Sequence, residues 1–384
     1  MEKALSKLPV SVCMLSDDFL PAATGVGIHV QRVSRDLIER GHRVSIITTR
    51  RPGEPALEKW QGIPVYRTFT LKLFGFYQAL PSRATLRRIF KENAVELVHH
   101  HYLGFLMMRA EPIANSLGLP QVYTYHMTVD HLTQPWPMKP FRPIISRQIV
   151  AYGNRFNLII VPAFDLIAKV ETDGIRTPVR HISNPIAFDT TEHVVPVARP
   201  AGFMVLYAGR LNPEKNIPLL LQAFGELQRE IPDVGLWIAG IGDQKARLES
   251  QCRSLGIEDC VRFLGFLKHH ELARYYSACD VFVLPSLVET QGLVAMEAMR
   301  FSKPIIVTRA IVSAHELVTE DVNGYIVDPR VPAELADHLK SLACNPETRL
   351  RLGRAGFARS MKYSPARVVD ALEEAYRAVL ETHA

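Results

Sequence analysis

The chain has 384 residues, of which 47% are apolar and 22% are charged, and its formal net charge is +6. This length exceeds one core of ordinary size, so two domains are expected, with the composition of a globular protein. The five cysteines are widely spaced and form no C-x-x-C pair, which excludes a disulfide framework or zinc knuckle and favours a reducing compartment. No apolar run reaches the roughly 18 residues of a spanning helix, which predicts a soluble or peripheral protein.

The first half alternates strand patterns with helical patterns. Such alternation predicts a parallel sheet covered by helices on both faces. The predicted strands are Val10–Leu15, Arg43–Thr48, Ile63–Phe69, Glu96–His100, Gln121–Thr124 and Leu158–Pro162. We therefore predict one doubly wound domain over residues 1–190. After its first strand, the segment Thr24-Gly25-Val26-Gly27-Ile28-His29 begins a helix.

A basic and aromatic stretch from Lys59 to Lys91 holds seven basic residues and no acidic one. Residues 1–195 hold 23 basic and 16 acidic residues, whereas residues 196–384 hold 22 and 23, so the positive excess lies in the first half. If these residues form one surface, it suits anionic lipid head groups. The alternative is that the stretch is an ordinary core strand, a loop and a solvated helix face, with no lipid contact. Its last four basic residues have helical spacing: Arg83, Arg87, Arg88 and Lys91. No nucleic-acid partner is predicted, because no binding module is recognisable.

Histidines end two of the predicted strands. His126 follows Gln121–Thr124 and is expected either to point toward a cleft or to be a core histidine bonded to backbone. In the sequence His99-His100-His101, strand alternation places His99 and His101 on one face. No carboxylate or cysteine is spaced to complete a metal site with them, and no Asp-x-Asp occurs, so no metal site is predicted.

The second half repeats the alternating pattern. Its predicted strands are Phe203–Ala208, Gly235–Ala239, Val261–Leu264, Val281–Pro285, Pro304–Thr308 and Gly324–Val327. A proline-rich polar linker precedes them, from Asn184 to Gly202. We predict a second doubly wound domain over residues 191–364. Ser364-Pro365 is typical of a helix start, which predicts a final helix over residues 365–384.

Two loops of the second half carry basic residues or glycines. Arg210 and Lys215 follow the strand that ends at Ala208, and they would face the usual ligand crevice at the carboxyl end of a parallel strand. Arginine and lysine bind phosphate oxygens well, although two basic residues are also ordinary in a solvated loop. The segment Gly240-Ile241-Gly242 closes the next strand, where glycine allows a tight turn and close backbone approach.

Glu289 and Glu297 are the most informative pair. Glu289 lies between a buried strand and a helical pattern that follows Gly292. Unpaired N–H groups and the helix dipole suit a diphosphate at that place. Glu297 lies further along the helix, where a carboxylate can accept hydrogen bonds from sugar hydroxyls. The alternative is a capping glutamate followed by an exposed helix glutamate.

Three of these features together resemble motifs of the retaining glycosyltransferases of family 4. They are the pair Arg210 and Lys215, the pair Glu289 and Glu297, and the sequence Thr124-Tyr125-His126. The resemblance spans nearly the whole chain. It implies two Rossmann-like domains that face across a cleft, known as the B-type glycosyltransferase fold, with the final helix crossing back onto the first domain. It also implies a nucleoside-diphosphate sugar as donor, with no cofactor and no required metal.

The resemblance implies a role for each motif. The leaving diphosphate would be neutralised by Arg210 and Lys215, donor-sugar hydroxyls would be held by Glu289, and ribose hydroxyls by Glu297. His126 would lie over the sugar and is grouped with the catalytic residues Arg210, Lys215 and Glu289. The implied donor-binding residues are Gly25, Gly27, Gly209, Gly242, Phe266, Leu267, Gln291, Gly292, Leu293, Val294 and Glu297. Family members usually carry two adjacent glycines where this chain has Gly25-Val26-Gly27.

The finer resemblance is to diacylglycerol glucosyltransferases, on the segments 289–294 and 124–126 with Asp130-His131 after the latter. It implies transfer of glucose from UDP-glucose to a membrane lipid such as diacylglycerol, by a cytoplasmic enzyme peripheral on the inner face of the membrane. Alternatives are a soluble acceptor (a sugar, sugar phosphate or small metabolite), a GDP-mannose-dependent mannosyltransferase, an epimerase or phosphorylase on the same fold, or a sugar-nucleotide-binding protein without turnover.

Overall fold

The computed structural model describes residues 9–21, 25–73, 76–129, 136–188 and 193–383. The chain divides into two compact units. The first comprises Met1–Pro185 and Pro365–Ala384, and the second comprises Ile186–Ser364. The division falls at Pro185, slightly before the predicted boundary at residue 190, and the C-terminal segment belongs to the first unit.

The first unit contains an eight-stranded sheet and a two-stranded hairpin. The strands are β1 Ser11–Leu15, β2 Arg43–Thr49, β3 Leu57–Trp60, β4 Ile63–Thr68, β5 Thr70–Leu73, β6 Phe76–Ala79, β7 Leu97–His100, β8 Gln121–Thr124, β9 Leu158–Val161 and β10 Val179–His181. The sheet order is β10-β9-β8-β7-β1-β2-β4-β3, and only the β3–β4 pair is antiparallel. Every residue of β1, β7, β8 and β9 is buried, as expected for strands covered on both faces.

Helices cover this sheet. They are α1 Gly25–Glu39, α2 Arg83–Glu92, α3 Phe105–Ser116, α4 Arg142–Gly153, α5 Leu166–Thr172 and, from the chain end, α13 Pro365–His383. The last helix packs on α1 and buries Val369, Leu372 and Tyr376 in the core of the first unit. The Tyr376 hydroxyl lies 2.6 Å from Nδ1 of His99 on β7, so the chain end is tied to the middle of the sheet.

Tyr376→Phe is expected to lower the free energy of unfolding of the first unit by about 1–2 kcal/mol, because it leaves a buried imidazole nitrogen without its partner. Urea denaturation measures the loss. Glu374→Gln on the same helix is the matched control, since its exposed ion pair with Arg180 contributes little. Equal stability of the Tyr376→Phe variant and the wild type would contradict the prediction.

The second unit contains a six-stranded parallel sheet in the order β13-β12-β11-β14-β15-β16. Its strands are β11 Phe203–Ala208, β12 Val234–Ala239, β13 Val261–Gly265, β14 Val281–Leu284, β15 Ile305–Thr308 and β16 Gly324–Val327. Its helices are α6 Ile217–Glu230, α7 Lys245–Leu255, α8 His269–Ala278, α9 Leu293–Arg300, α10 Ala314–Leu317, α11 Pro332–Cys344 and α12 Pro346–Ser360. The strand order reverses between β11 and β14, and open α/β sheets bind ligands at such a switch point. Both units thus have the predicted doubly wound architecture.

Candidate active site

The loops that follow β11 and β14 meet at the switch point of the second unit. Lys215, from the first loop, forms an ion pair with Glu289, from the second. The backbone N–H of Leu287 donates to the carbonyl of Glu214 at 2.8 Å, which holds the two loops together. Two residues separated by 74 positions in sequence are therefore adjacent because their strands are neighbours in the sheet.

Arg210 lies in the loop that contains Lys215 and is mostly exposed, with 68% of its side chain accessible. Its guanidinium pairs with Glu214 at 3.1 Å, and its carbonyl accepts a hydrogen bond from the Tyr207 hydroxyl at 2.8 Å. The two cations are thus balanced by Glu214 and Glu289. A bound diphosphate would compete with these carboxylates for both cations, which ties phosphate binding to the position of Glu289.

Gly292 directly precedes α9 and adopts a left-handed conformation with φ +67°. A Cβ there would also lie 2.9 Å from a methyl group of Leu284, so a larger residue is excluded by both strain and space. Leu293 and Val294 form the first turn of α9, whose N–H groups have no partner within the helix. The buried Gln291 is held in place through its carbonyl, which accepts from Ser313 Oγ at 2.9 Å. This arrangement suits an anion at the start of α9.

Glu297 lies on α9 and is almost completely buried, at 3% exposure. The Tyr276 hydroxyl lies 3.2 Å from a carboxylate oxygen of Glu297 and 3.2 Å from the carbonyl of Val294. The alternative expectation of an exposed helix glutamate is therefore wrong. The hydrogen bond from Tyr276 offsets only part of the cost of burying a carboxylate, so a specific function for Glu297 is favoured.

The glycine loops of the second unit are packed backbone against backbone. A Cβ at Gly240 would lie 1.8 Å from the carbonyl oxygen of Gly209, and one at Gly242 would lie 2.4 Å from that of Leu211. A Cβ at Gly209 would lie 2.8 Å from the Tyr207 hydroxyl oxygen, so all three glycines are needed for loop packing in addition to any contact with a donor. Phe266 and Leu267 follow β13, and Phe266 is 59% exposed, so its ring is accessible to a ligand.

In the first unit, α1 begins at Gly25 as predicted. A Cβ at Gly25 would meet no described atom within 4 Å, so space remains beside the helix start. Gly27 and His29 lie on the buried face of α1. No role was predicted for His29, although its place two residues after Gly27 in the glycine segment was a usable signal.

Three histidines converge in the first unit. His126 Nε2 lies 3.2 Å from His101 Nδ1, and the His29 ring centroid lies 4.6 Å from that of His126. Burial lowers the pKa of all three, that of His126 to about 3, so each ring is neutral near pH 7. His126 is thus part of a cluster of three histidines, which the sequence did not predict, and its orientation toward a cleft stays a prediction.

His99 and His101 do not act as a pair. Their rings lie 4.0 Å apart, but His99 contacts the Tyr376 hydroxyl with one nitrogen and Thr124 Oγ1, at 2.7 Å, with the other. The two rings lie on one face, as strand alternation predicts, but both nitrogens of His99 are engaged and this residue anchors α13. His101 instead lies with His29 and His126. Neither His29 nor the Tyr376 hydroxyl that engages His99 was predicted from the sequence.

The basic stretch forms an exposed surface on the first unit. On α2, the basic residues Arg83, Arg87, Arg88 and Lys91 are exposed while the apolar residues face inward. Arg67 is the exception, because it is buried and paired with Glu54 and Glu58. A groove of about 800 Å³ lies beside the hairpin of β5 and β6 and is lined by Arg50, Arg51, Lys72 and Tyr77, among others.

Some sequence predictions fall outside the described residues, namely those on Thr24 and on Asp130-His131. No helix in the described part of the chain is long and apolar enough to cross a membrane.

Comparison with known proteins covers both units. Residues 23–190 match the family model described as Glycosyltransferase Family 4, and residues 189–359 match the one described as Glycosyl transferases group 1. The chain is 33% identical over 313 residues to D-inositol 3-phosphate glycosyltransferase of Frankia alni, covering 74% of each protein. It is 28% identical over 309 residues to alpha-monoglucosyldiacylglycerol synthase of Streptococcus pneumoniae, covering 76% of this chain and 70% of that protein.

A solved structure supports the fold. The crystal structure of HepE from Anabaena in complex with UDP-glucose superposes with a TM-score of 0.76 at 20% identity, covering 96% of this chain and 99% of that one. The predicted fold class, with two Rossmann-like sheets, is confirmed.

Proposed function

Because the chain belongs to glycosyltransferase family 4, we propose that it transfers a hexose from a UDP-sugar, with UDP-glucose as the first choice, to a membrane lipid acceptor such as diacylglycerol. The observation that carries the donor half of this proposal is the Lys215–Glu289 ion pair at the switch point, beside the start of α9 and the buried Glu297. The similarity to HepE, whose crystal structure is a complex with UDP-glucose, favours the same donor.

The proposed reaction retains the configuration at the anomeric carbon. The bond between that carbon and the diphosphate oxygen breaks, the acceptor oxygen forms the new bond on the same face, and the departing phosphate oxygen takes the acceptor proton. Arg210 and Lys215 stabilise the negative charge that develops on the diphosphate, which is the kind of electrostatic effect that dominates many enzymes. No separate base and no metal are required.

The remaining residues hold the donor. Glu289 binds sugar hydroxyls, Glu297 binds the ribose, and the backbone N–H groups of Gly292, Leu293 and Val294 bind phosphate. By the same proposal, His126 binds the donor sugar. The exposed ring of Phe266 flanks the nucleotide base.

The lipid acceptor is supported by the basic surface of α2 and by the similarity to alpha-monoglucosyldiacylglycerol synthase. The four exposed basic residues of α2 would contact anionic head groups, with the enzyme on the cytoplasmic face of the membrane. Leu73, which is partly exposed at the end of β5, would add apolar contact.

A second candidate is a soluble acceptor that carries a phosphate. Two observations favour it: the similarity to D-inositol 3-phosphate glycosyltransferase and the cationic groove. In the groove, the Arg51 guanidinium and the Lys72 ammonium lie 4.9 and 5.4 Å from the ring centroid of Tyr77. The acidic Glu54 is already paired with Arg67, at 3.3 Å, which leaves the groove with a positive excess.

A donor-by-acceptor screen tests the proposal. UDP- and GDP-sugars are each combined with diacylglycerol in anionic vesicles, with diacylglycerol in neutral vesicles, and with soluble sugar phosphates. Transfer from UDP-glucose to the lipid in anionic vesicles is the expected result. Turnover only with a sugar phosphate would replace the lipid acceptor by the second candidate, and turnover only with GDP-mannose would overturn the donor.

Glu297→Gln is expected to weaken the binding of UDP by about tenfold, because it removes the charge from a hydrogen bond to the ribose. Calorimetry with UDP alone measures this change without reference to the acceptor. Tyr276→Phe is the matched control, since it removes the internal hydrogen bond of Glu297 but no ligand contact. If Tyr276→Phe weakens UDP binding as much as Glu297→Gln, the role of Glu297 is structural.

A further inference from the structure

Three imidazole rings from separate elements meet in the first unit: His29 from α1, His101 after β7 and His126 after β8. One nitrogen of each lies within 4.8 Å of the other two. The ring centroids are 4.6 to 5.5 Å apart. We infer that this histidine trio binds a transition-metal ion of the zinc type, and that the bound metal inhibits sugar transfer.

The spacing is close to what such an ion needs. Zinc binds imidazole nitrogen at about 2.0–2.1 Å, and two nitrogens in tetrahedral geometry then lie about 3.3 Å apart. His101 Nδ1 and His126 Nε2 are 3.2 Å apart and already meet this condition. A nitrogen of the third ring, His29, lies within 4.8 Å of the other two, so a shift of up to about 1.5 Å would bring it into the same coordination sphere.

Coordination also requires a free lone pair on one nitrogen of each ring, and neutral imidazole is the form that binds such a metal. His101 Nδ1 and His126 Nε2 lie at hydrogen-bonding distance, so one of them carries the proton between them. For both nitrogens to coordinate, that proton moves to the other nitrogen of its ring. On His101 that nitrogen is Nε2, which lies 3.3 Å from Met14 Sδ.

His29 shows most clearly that the trio suits a ligand. Only 5% of its surface is exposed. Among the described residues, neither of its ring nitrogens makes a hydrogen bond of normal geometry. The side chain of Asn184 approaches this ring, and the weak hydrogen bond between them opposes the lowering of the pKa of His29. A buried polar group without a hydrogen bond is costly, and coordination would remove that cost.

Inhibition follows from the proposed role of His126 and rests on it. If His126 contacts the donor sugar, a metal would hold its ring away from that position and add positive charge. Turnover itself, as proposed, needs no metal. The enzyme would thus be fully active after treatment with a chelator and inhibited by zinc.

Binding is tested on the chelator-treated wild-type enzyme with cobalt(II), whose visible absorption reports coordination by nitrogen, and with zinc by calorimetry. Histidine ring resonances in a ¹⁵N spectrum identify the bound residues without any substitution. The expected result is one ion per chain, with shifts confined to His29, His101 and His126. His29→Asn should weaken zinc binding by at least about tenfold. His99→Asn, beside the trio but engaged by Tyr376 and Thr124, should leave it unchanged.

Activity is then measured at increasing zinc concentration, relative to the metal-free rate of each variant. The inhibitory concentration should rise by at least about tenfold in His29→Asn and stay constant in His99→Asn. Absence of the cobalt spectrum, or zinc binding by His29→Asn equal to wild type, would overturn the site. Loss of activity after chelation, restored by zinc, would overturn the inhibitory role. The binding results stand or fall independently of whether the enzyme transfers sugar.

Discussion

Arg210→Ala and Lys215→Ala are each expected to lower kcat/KM by about 100-fold or more. Each change removes a cation whose contact with the leaving diphosphate is strongest in the transition state. The loop that carries them is held by the Tyr207 hydroxyl and by the backbone bond from Leu287 to Glu214, so the fold should survive. Steady-state kinetics with UDP-glucose, together with thermal unfolding, measures both effects.

The Lys215 variant needs a further comparison because the same change leaves Glu289 without its partner. A double-mutant cycle with Glu289→Ala separates the two effects. If the lysine acts only by positioning Glu289, the double variant will be no slower than Glu289→Ala. Lys245→Ala, an exposed lysine of α7 in the same unit, is the matched control and should leave the rate unchanged. Near-wild-type rates for both Arg210→Ala and Lys215→Ala would show that the diphosphate is neutralised elsewhere.

Reversal of Arg83, Arg87, Arg88 and Lys91 to glutamate is expected to abolish binding to anionic vesicles. Each basic residue near a charged membrane contributes ~1 kcal/mol, so loss of four contacts lowers the partition coefficient by about three orders of magnitude. The four side chains are exposed on α2 while Leu86, Ile89 and Phe90 form its buried face, so the helix should stay folded. Vesicle flotation gives the bound fraction.

Two controls make this result specific. Wild-type binding should weaken as salt rises, because the screening length falls to about 3 Å at 1 M. The second control reverses four exposed basic residues of the second unit to glutamate, which changes the net charge by the same amount as the α2 variant. It should leave flotation intact, and its positions are Lys245, Arg247, Arg253 and Arg354. UDP binding should be normal in both variants. If the wild type does not float with anionic vesicles at low salt, the lipid acceptor loses its physical support and the phosphate-bearing soluble acceptor becomes the better proposal.

The strands of both sheets could be predicted closely from local pattern. Continuous apolar runs such as Leu158–Val161 and Val281–Leu284 are buried on both faces, and their composition alone indicates this. The short strands β3, β5, β6 and β10 were missed. They are partly exposed, and β3, β5 and β6 pair in antiparallel fashion, so they lack the apolar signal on which the prediction relied.

The positions of Arg210, Lys215 and Glu289 at strand ends were also predictable, since the carboxyl end of a parallel strand lies at the ligand-binding edge of the sheet. Which of these residues pair with one another was not predictable from the sequence. Lys215 meets Glu289 because β11 and β14 are neighbours, and Glu297 is buried because Tyr276 on α8 reaches it. His29 on α1 contacts His126, and the Tyr376 hydroxyl on α13 binds a ring nitrogen of His99. Both helices are distant in sequence from the histidines that they contact. Periodicity is a property of adjacent residues and can be read locally, whereas these contacts depend on which strands and helices pack together.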